Sequence, residues 1–406
     1  MYTGKLRDWL SSLSPWERAA LVIWGTVLLA VCVRAFIAPQ TRTVYPIYRA
    51  SADLWWAGGE LYEPARPAWA ADGYRYSPTS AILFSPFALC SDALGGVLWR
   101  LFNVLCFAIG VEWFARSALP MPLSGGQRGL LWLLMLPMTL QSVGNGQVNL
   151  LVAGAMLGAV AAVKEERWIL ASSLLSIAIV FKLYPLALAM VLIVLYRRAL
   201  AWRLVVALAM AFGLPFVCQA PSYAVDQYVK WITALAAEDR SAITLDHMYR
   251  DVWLLIHLYD VPISRPVYGA MCVAGGGVVA WLCWRGQRDG WPTGKLLTHA
   301  LALSTTWMML FGPATESSSF ALFAPSFAWS MLEAAASTER SARHGLLWSS
   351  AAIFFVAVVI GGVVPSWRLH SAGVHVWASL CYCAYLMAES WRSDAVRHAA
   401  TQNAAA

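Results

Sequence analysis

Long apolar segments recur along almost the whole chain, and this pattern restricts the fold more than any other feature. The first segment runs from Ala19 to Ala38 and is closed by Pro39. A bilayer hydrocarbon core of about 30 Å is crossed by roughly 20 helical residues. Because lipid offers no hydrogen bonds to the backbone, helices are favoured over open sheets. The pattern predicts an all-α polytopic membrane protein.

The composition agrees with this prediction and excludes a nucleic-acid-binding protein. Hydrophobic residues make up 60% of the chain and charged residues 13%, whereas soluble domains average about 25% charged residues. The net charge of +7 comes from scattered Lys and Arg residues without a basic run. We therefore expect membrane lipids as surroundings and no nucleic acid as a partner. The eight cysteines show no C-x-x-C spacing, and we interpret them as small buried residues.

Positive charges define the expected topology. Lys5, Arg7 and Arg18 precede the first apolar segment, which places the N-terminus in the cytoplasm by the positive-inside rule. Residues 39–93 then form a first outer loop and residues 219–265 a second one, within a single integral membrane domain of residues 1–406. The same rule predicts about twelve transmembrane helices and a cytoplasmic C-terminus.

The first outer loop contains two short apolar elements. Residues Tyr45 to Trp56 have the pattern of an amphipathic helix, which Gly58 and Gly59 end. We expect Trp55 and Trp56 to lie at the level of the lipid headgroups. The run Ser80 to Cys90 is too short to span a membrane, and we place it as an interfacial or re-entrant segment.

Lys182 is the most conspicuous charge, because it ends an apolar helix and precedes Pro185. A charge at the bilayer centre costs about 2.5–3.5 kcal/mol unless it is paired or reaches the interface. Two interpretations remain open. Lys182 could be an anchor that reaches the membrane surface, or an ammonium group that neutralises a lipid phosphate at the outer interface.

Further polar groups are expected at the outer face. The turn Asn145-Gly-Gln-Val-Asn149 carries amides that suit sugar hydroxyls, although Asn-Gly also marks ordinary turns. Arg42, Arg75 and Tyr76 could bind a phosphate or stack on a sugar, whereas an aromatic belt is the plainer alternative for the tyrosine.

Several enzyme and transporter classes lose their support because their motifs are missing. The sequence contains no Walker-type loop, dinucleotide fingerprint, nucleophile elbow or metal-spaced His pair. We therefore predict no cofactor and no metal site, and no ATP-driven transport, metalloprotease or serine hydrolase activity.

Together, several motifs give the chain a family resemblance over roughly residues 19 to 218. It resembles family 87 of the GT-C glycosyltransferases, which includes polyprenyl-phosphate-mannose-dependent mannosyltransferases. The residues that carry the resemblance are Tyr48, Gly58 to Tyr62, Tyr76-Ser-Pro78, Trp99 with Asn103, Asn145 to Asn149, and Lys182-Leu-Tyr-Pro185.

The resemblance implies a GT-C fold in which outer loops frame a cavity in the cell inner membrane. It implies inverting transfer of a sugar, with mannose weighted by the family, from a polyprenyl-phosphate donor to a lipid or glycan acceptor at the outer face. The expected donor-binding residues are Lys182, Tyr184, Arg75, Arg42, Tyr76, Asn145, Gln147, Asn149, His247 and Arg250.

One position departs from the family pattern. Family members usually carry an aspartate a few residues before the tyrosine that matches Tyr48, and here that position is Thr43. Either another carboxylate acts as general base, or the chain is an inactive family member. A lipid-linked-sugar flippase or transporter is a further alternative. The candidate bases, in falling order, are Glu316, Glu60, Asp53 and Asp251.

Overall fold

The computed structural model describes residues 11–62, 73–237, 245, 248–338, 341–359 and 372–405. Over these ranges the chain is helical and has no β-strand, which confirms the predicted all-α class. His247 lies outside the described residues. The helices are α1 (Pro15–Ile37), α2 (Tyr45–Ala57), α3 (Pro78–Ala88), α4 (Asp92–Ser117), α5 (Gly125–Asn145), α6 (Asn149–Lys164), α7 (Trp168–Phe181), α8 (Leu186–Cys218), α9 (Pro221–Ala237), α10 (Val252–Leu258), α11 (Arg265–Arg288), α12 (Thr293–Phe311), a 3₁₀ helix (Ser317–Ala321), α13 (Ala324–Ala336), α14 (Ala342–Val359) and α15 (Val374–Ala405).

Four helices of the described part are long and apolar enough to cross a membrane, namely α1, α4, α8 and α11. Helix α6 is shorter, and every residue from Asn149 to Val163 is buried. At about 1.5 Å per residue, it does not need to match the full bilayer because other helices surround it. The expected number of about twelve crossings stays a prediction.

Helices α4 and α6 approach each other at two glycines. A Cβ atom added to Gly154 would lie 2.3 Å from the carbonyl oxygen of Cys106, and one added to Gly110 would lie 2.3 Å from the carbonyl oxygen of Gly154. Small residues of this kind allow close backbone packing between membrane helices. This contact packs the backbone of α6 closely against that of α4.

Helix α8 is interrupted at Tyr196, whose backbone is non-helical (φ −130°, ψ 42°). The ring of Tyr196 lies 5.4 Å from that of Trp168 at the start of α7. The hydroxyl of Ser176, near the other end of α7, donates to the carbonyl of Ala207 at 3.1 Å. The chain therefore reverses at Tyr196, and the second half of α8 runs back along α7.

Residues 39–93 contain the expected helix α2, which Gly58 ends in a left-handed conformation (φ 68°). The side chain of Trp55 is fully buried inside the protein, and its ring lies 5.2 Å from that of Tyr223 on α9. Its level in the membrane stays a prediction. Trp56 is exposed and donates to the hydroxyl of Ser85 at 2.7 Å. Helix α3 has 11 residues, in agreement with the short apolar run.

Polar groups gather at both ends of the bundle. At one end, Arg128 lies 3.9 Å from Glu17 and 3.8 Å from Glu112. At the other end, the backbone N–H of Val44 donates to the carbonyl of Asn145 at 3.0 Å. The connections before α2, between α5 and α6, between α7 and α8, and after α12 all meet at this second end.

The close packing of α4 and α6 predicts a large loss of stability when one methyl group is added at Gly154. Gly154→Ala should destabilise the protein by about 1–3 kcal/mol, because the added Cβ must push α4 away. Gly25→Ala is the control, since a Cβ there meets nothing within 4 Å and alanine favours helices. The unfolding temperatures of both variants in detergent test this, and equal temperatures would contradict it.

Candidate active site

A cavity of about 310 Å³ opens at the end of the bundle where these connections meet. Cavities of about 300–1,000 Å³ are typical of small-molecule sites. The described residues thus include a concave site that gathers groups from six separate parts of the chain. The predicted site residues that line it are Arg75, Tyr76, Asn145, Gln147, Lys182, Tyr184 and Glu316.

The carboxylate of Glu316 is held by the side chain of Gln147, whose amide Nε2 donates to Oε2 at 2.7 Å. The hydroxyl of Ser318 donates to Oε1 of Gln147 at 2.7 Å, and its oxygen lies 3.2 Å from Oε2 of Glu316. The network fixes the position of the carboxylate at the cavity wall.

Asn149 belongs to the second layer of this network. Its Nδ2 donates to Oε1 of Gln147 at 2.9 Å, and its side chain is fully buried at the start of α6. It therefore orients Gln147 from behind and does not line the cavity. Since both the Ser318 hydroxyl and the Asn149 amide donate to the Gln147 oxygen, the Gln147 NH₂ group points towards Glu316.

Lys182 lines the cavity as a half-buried cation. Its ammonium lies 5.2 Å from the ring centroid of Tyr184, and no carboxylate of the described residues lies within ion-pair distance of it. Burial lowers the pKa of Lys182, but Tyr184, Tyr76 and Glu316 raise it by more, so the pKa lies above its ordinary value. The site therefore presents a positive charge that an anionic ligand could neutralise.

Arg75 lines the cavity and contacts two aromatic residues from distant parts of the chain. Its guanidinium donates to the hydroxyl of Tyr249 and lies 5.8 Å from the centroid of that ring. The indole N–H of Trp231 donates to the backbone carbonyl of Arg75 at 3.0 Å. Sequence reasoning missed Tyr249 and Trp231, because nothing in their local pattern distinguishes them from interfacial aromatic residues.

Two further residues complete the surroundings of the cavity. The hydroxyl of Tyr48 donates to that of Tyr76 at 2.7 Å, and Tyr48 lines the cavity although it was predicted only as part of the family pattern. The backbone N–H of Arg250 donates to the carbonyl of Thr315 at 2.7 Å. Burial lowers the pKa of Arg250 to about 10, and the nearby Glu316 raises it. Arg250 thus lies beside the carboxylate without lining the cavity.

The other candidate bases are placed elsewhere. Asp53 is exposed on α2 and lies 3.6 Å from Arg49 one helical turn away. Glu60 lies 2.6 Å from the ammonium of Lys230 on α9. Neither carboxylate lines the cavity, because the inward face of α2 carries its aromatic residues.

Asp251 and Arg42 are also outside the cavity lining. Asp251 is fully buried and caps α10 by accepting from the backbone N–H of Trp253 at 3.1 Å. Arg42 is exposed, with a left-handed backbone (φ 48°). In the part of the chain that the structure describes, no group of three His, Cys, Asp or Glu side chains could hold a metal ion.

The electrostatics of Lys182 give a pH-dependent prediction. A raised pKa means that the charge stabilises the fold fully below the ordinary pKa of 10.5, and that this contribution is lost only as the pH rises through the higher folded pKa. Amine acylation of Lys182, followed by mass spectrometry, should therefore stay low from pH 8 to pH 10, whereas the exposed Lys164 is labelled. Labelling of Lys182 at the rate of Lys164 would contradict the placement.

The chain is similar to one glycosyltransferase family and to two solved structures. A family model described as glycosyltransferase family 87 matches residues 74–313. The crystal structure of ArnT from Cupriavidus metallidurans bound to undecaprenyl phosphate is 13% identical, over 89% of this chain and 77% of that chain, with a TM-score of 0.37. ArnT in the apo state is 15% identical, over 90% and 78% of the two chains, with a TM-score of 0.41. At these TM-scores the similarities assign no residue a role, and no curated protein matches.

Proposed function

Because the chain belongs to glycosyltransferase family 87, whose model matches more than half of it, we propose that the cavity is the active site of a membrane glycosyltransferase with a polyprenyl-phosphate-linked sugar as donor. The observation that carries the proposal is that Lys182 and Glu316 line the same cavity without pairing with each other. A leaving phosphate needs a cation, and an attacking hydroxyl needs a base. A ligand bound between the two would contact both.

Lys182 binds the phosphate of the donor. It lies between Phe181 and Leu183, which also line the cavity, and Leu183 is 39% exposed. The ammonium is thus placed where an apolar surface continues outwards from a polar cavity. A lipid phosphate has this arrangement of a charged head and an apolar chain, so the isoprenoid leaves along Leu183 while the sugar points inwards.

The sugar occupies the inner part of the cavity. Asn145 and Gln147 line the cavity. The Asn145 amide can donate to and accept from sugar hydroxyls, whereas Gln147, whose oxygen accepts from Ser318 and Asn149, can offer its second amide N–H. Tyr76 also lines the cavity, and its ring offers a surface on which a sugar can stack. Mannose is the sugar that the family resemblance favours.

Glu316 acts as the general base in an inverting transfer. It takes the proton of an acceptor hydroxyl, and the acceptor oxygen attacks C1 of the sugar from the side opposite the phosphate. The new C–O bond forms while the bond between C1 and the phosphate oxygen breaks, and its electron pair leaves with the phosphate. The products are the glycosylated lipid or glycan acceptor and polyprenyl phosphate.

Thr43 cannot take the role of the family aspartate. Its hydroxyl accepts from Arg100 at 2.9 Å and donates to the carbonyl of Asn145 at 3.2 Å, and Thr43 does not line the cavity. This favours Glu316 as a relocated base over Asp53, Glu60 and Asp251. We place the site on the outer face of the cell inner membrane, with both termini in the cytoplasm.

Removal of the base should abolish most of the activity. Glu316→Gln keeps the shape and should lower kcat by about 10²–10⁴-fold, the usual contribution of a general base. Transfer from labelled polyprenyl-phosphate-mannose to a lysate-lipid acceptor pool, by purified protein in liposomes, measures this. Asp53→Asn is the matched control and should be unchanged. Full turnover by Glu316→Gln would exclude this carboxylate as the base.

Removal of the Lys182 ammonium should lower the efficiency with which the enzyme uses the lipid-linked donor. Lys182→Ala should lower kcat/KM for the lipid-linked donor by about 10²–10³-fold, because one charge on the leaving group is lost. Lys230→Ala, which removes an ammonium paired with Glu60 outside the cavity, is the control. A nucleotide-sugar donor should give no transfer with any variant. If the wild type transfers nothing but moves the lipid across liposomes, the flippase alternative is correct.

A further inference from the structure

The turn between α5 and α6 is held by donors to four consecutive backbone carbonyls. Helix C-termini leave such carbonyls without partners inside the helix. Here donors from α1, α4, the segment before α2 and a side chain of α5 itself reach them. The carbonyl of Gly144 accepts from Arg34 at 2.5 Å and from Arg100 at 3.1 Å. The other donors are Val44 N and Thr43 Oγ1 to Asn145 (3.0 and 3.2 Å), Trp99 Nε1 to Gly146 (2.7 Å), and Ser142 Oγ to Gln147 (3.5 Å).

Arg100 is the centre of this arrangement. Its side chain is 2% exposed, and its guanidinium donates to the carbonyl of Gly96 at 2.9 Å in addition to Gly144 and Thr43. Gly146 has a left-handed backbone (φ 68°), and a Cβ there would lie 3.1 Å from Cζ of Arg100. The turn is therefore packed directly on the guanidinium.

The charge of Arg100 has no ion-pair partner. Over the ranges that the structure describes, neither Arg100 nor Arg34 has a carboxylate within ion-pair distance. A buried cation without a counter-charge is costly, more so inside a membrane. A neutral side chain would avoid this cost, but it could not donate to Gly96, Gly144 and Thr43 at once.

We infer that Arg100 is a positioning residue that sets the proposed base through the turn and Gln147. The path has two steps: Arg100 fixes the backbone of Gly144 to Gly146, and Gln147 then donates to Glu316 at 2.7 Å. Arg100 itself does not line the cavity and does not touch the donor. The inference rests on the proposed function, because it assigns Glu316 the role of base.

The test separates positioning from binding and from folding. Arg100→Lys keeps the charge but loses the planar set of donors. We expect kcat per folded enzyme to fall at least about tenfold, since small displacements of catalytic groups cost rate. Any rise in KM for the donor, transmitted through Asn145, should be smaller than this fall. Arg203→Lys is the matched control, because Arg203 donates to Ala199 at 2.6 Å at the other end of the bundle.

A double variant makes the test specific. If Arg100 acts through Gln147, the losses in Gln147→Leu and in Arg100→Lys should not add in the combined variant, because the two residues form one unit. A purely structural role would lower the folded fraction and leave kcat of the folded enzyme unchanged. Should Arg100→Lys fail to fold, Thr43→Val removes one acceptor of Arg100 and should lower kcat in the same way, by a smaller factor.

The outcomes distinguish failure of the proposed function from failure of the inference about Arg100. Absence of transfer by the wild type would overturn the proposed function and this inference with it. Transfer by the wild type with unchanged kcat in Arg100→Lys, or with additive losses in the double variant, would overturn the inference alone. A rise in KM at constant kcat would also overturn it, because Arg100 would then act on donor binding.

Discussion

The hydrogen bond from Gln147 to Glu316 is the contact on which the arrangement of the cavity depends. It joins the turn between α5 and α6 to the segment before the 3₁₀ helix, across a separation of 169 residues, at 2.7 Å. A charge-assisted bond of this kind is short and directional. Its geometry matters more than its energy, because it fixes the carboxylate of Glu316 in the cavity that Lys182 also lines.

The rest of the bundle provides the rigidity that this contact requires. Helix α6 begins two residues after Gln147 and is buried along nearly its whole length. Its contact with α4 at Gly110 and Gly154 leaves no room for a side chain. Since packed interiors transmit displacement, the start of α6 and the turn before it move only if the bundle moves. The proposed catalytic groups thus lie in connections between helices, and rigid helices anchor these connections.

Electrostatics also favour the placement of cations around the cavity. Lys182 follows the last residue of α7, where the partial negative charge of a helix C-terminus stabilises a cation. Arg34 and Arg100 complement the C-terminus of α5 in the same way, and they also add positive charge beneath the cavity. Lys182 and Arg75 line the cavity together with the carboxylate of Glu316. This excess of cationic side chains suits an anionic ligand.

The sequence by itself determined the local features of the protein. Its apolar segments indicate helices, Gly58 ends α2, and Lys182 and the Asn145 turn stand out as polar groups beside apolar helices. Hydropathy and turn chemistry act over a few residues, so they are visible in the chain. Only the tertiary structure decided that Glu316 faces the cavity, that Asp53, Glu60 and Asp251 form other contacts, and that Trp55 is buried. Those outcomes depend on which distant elements pack together, and no pattern within a single segment contains that information.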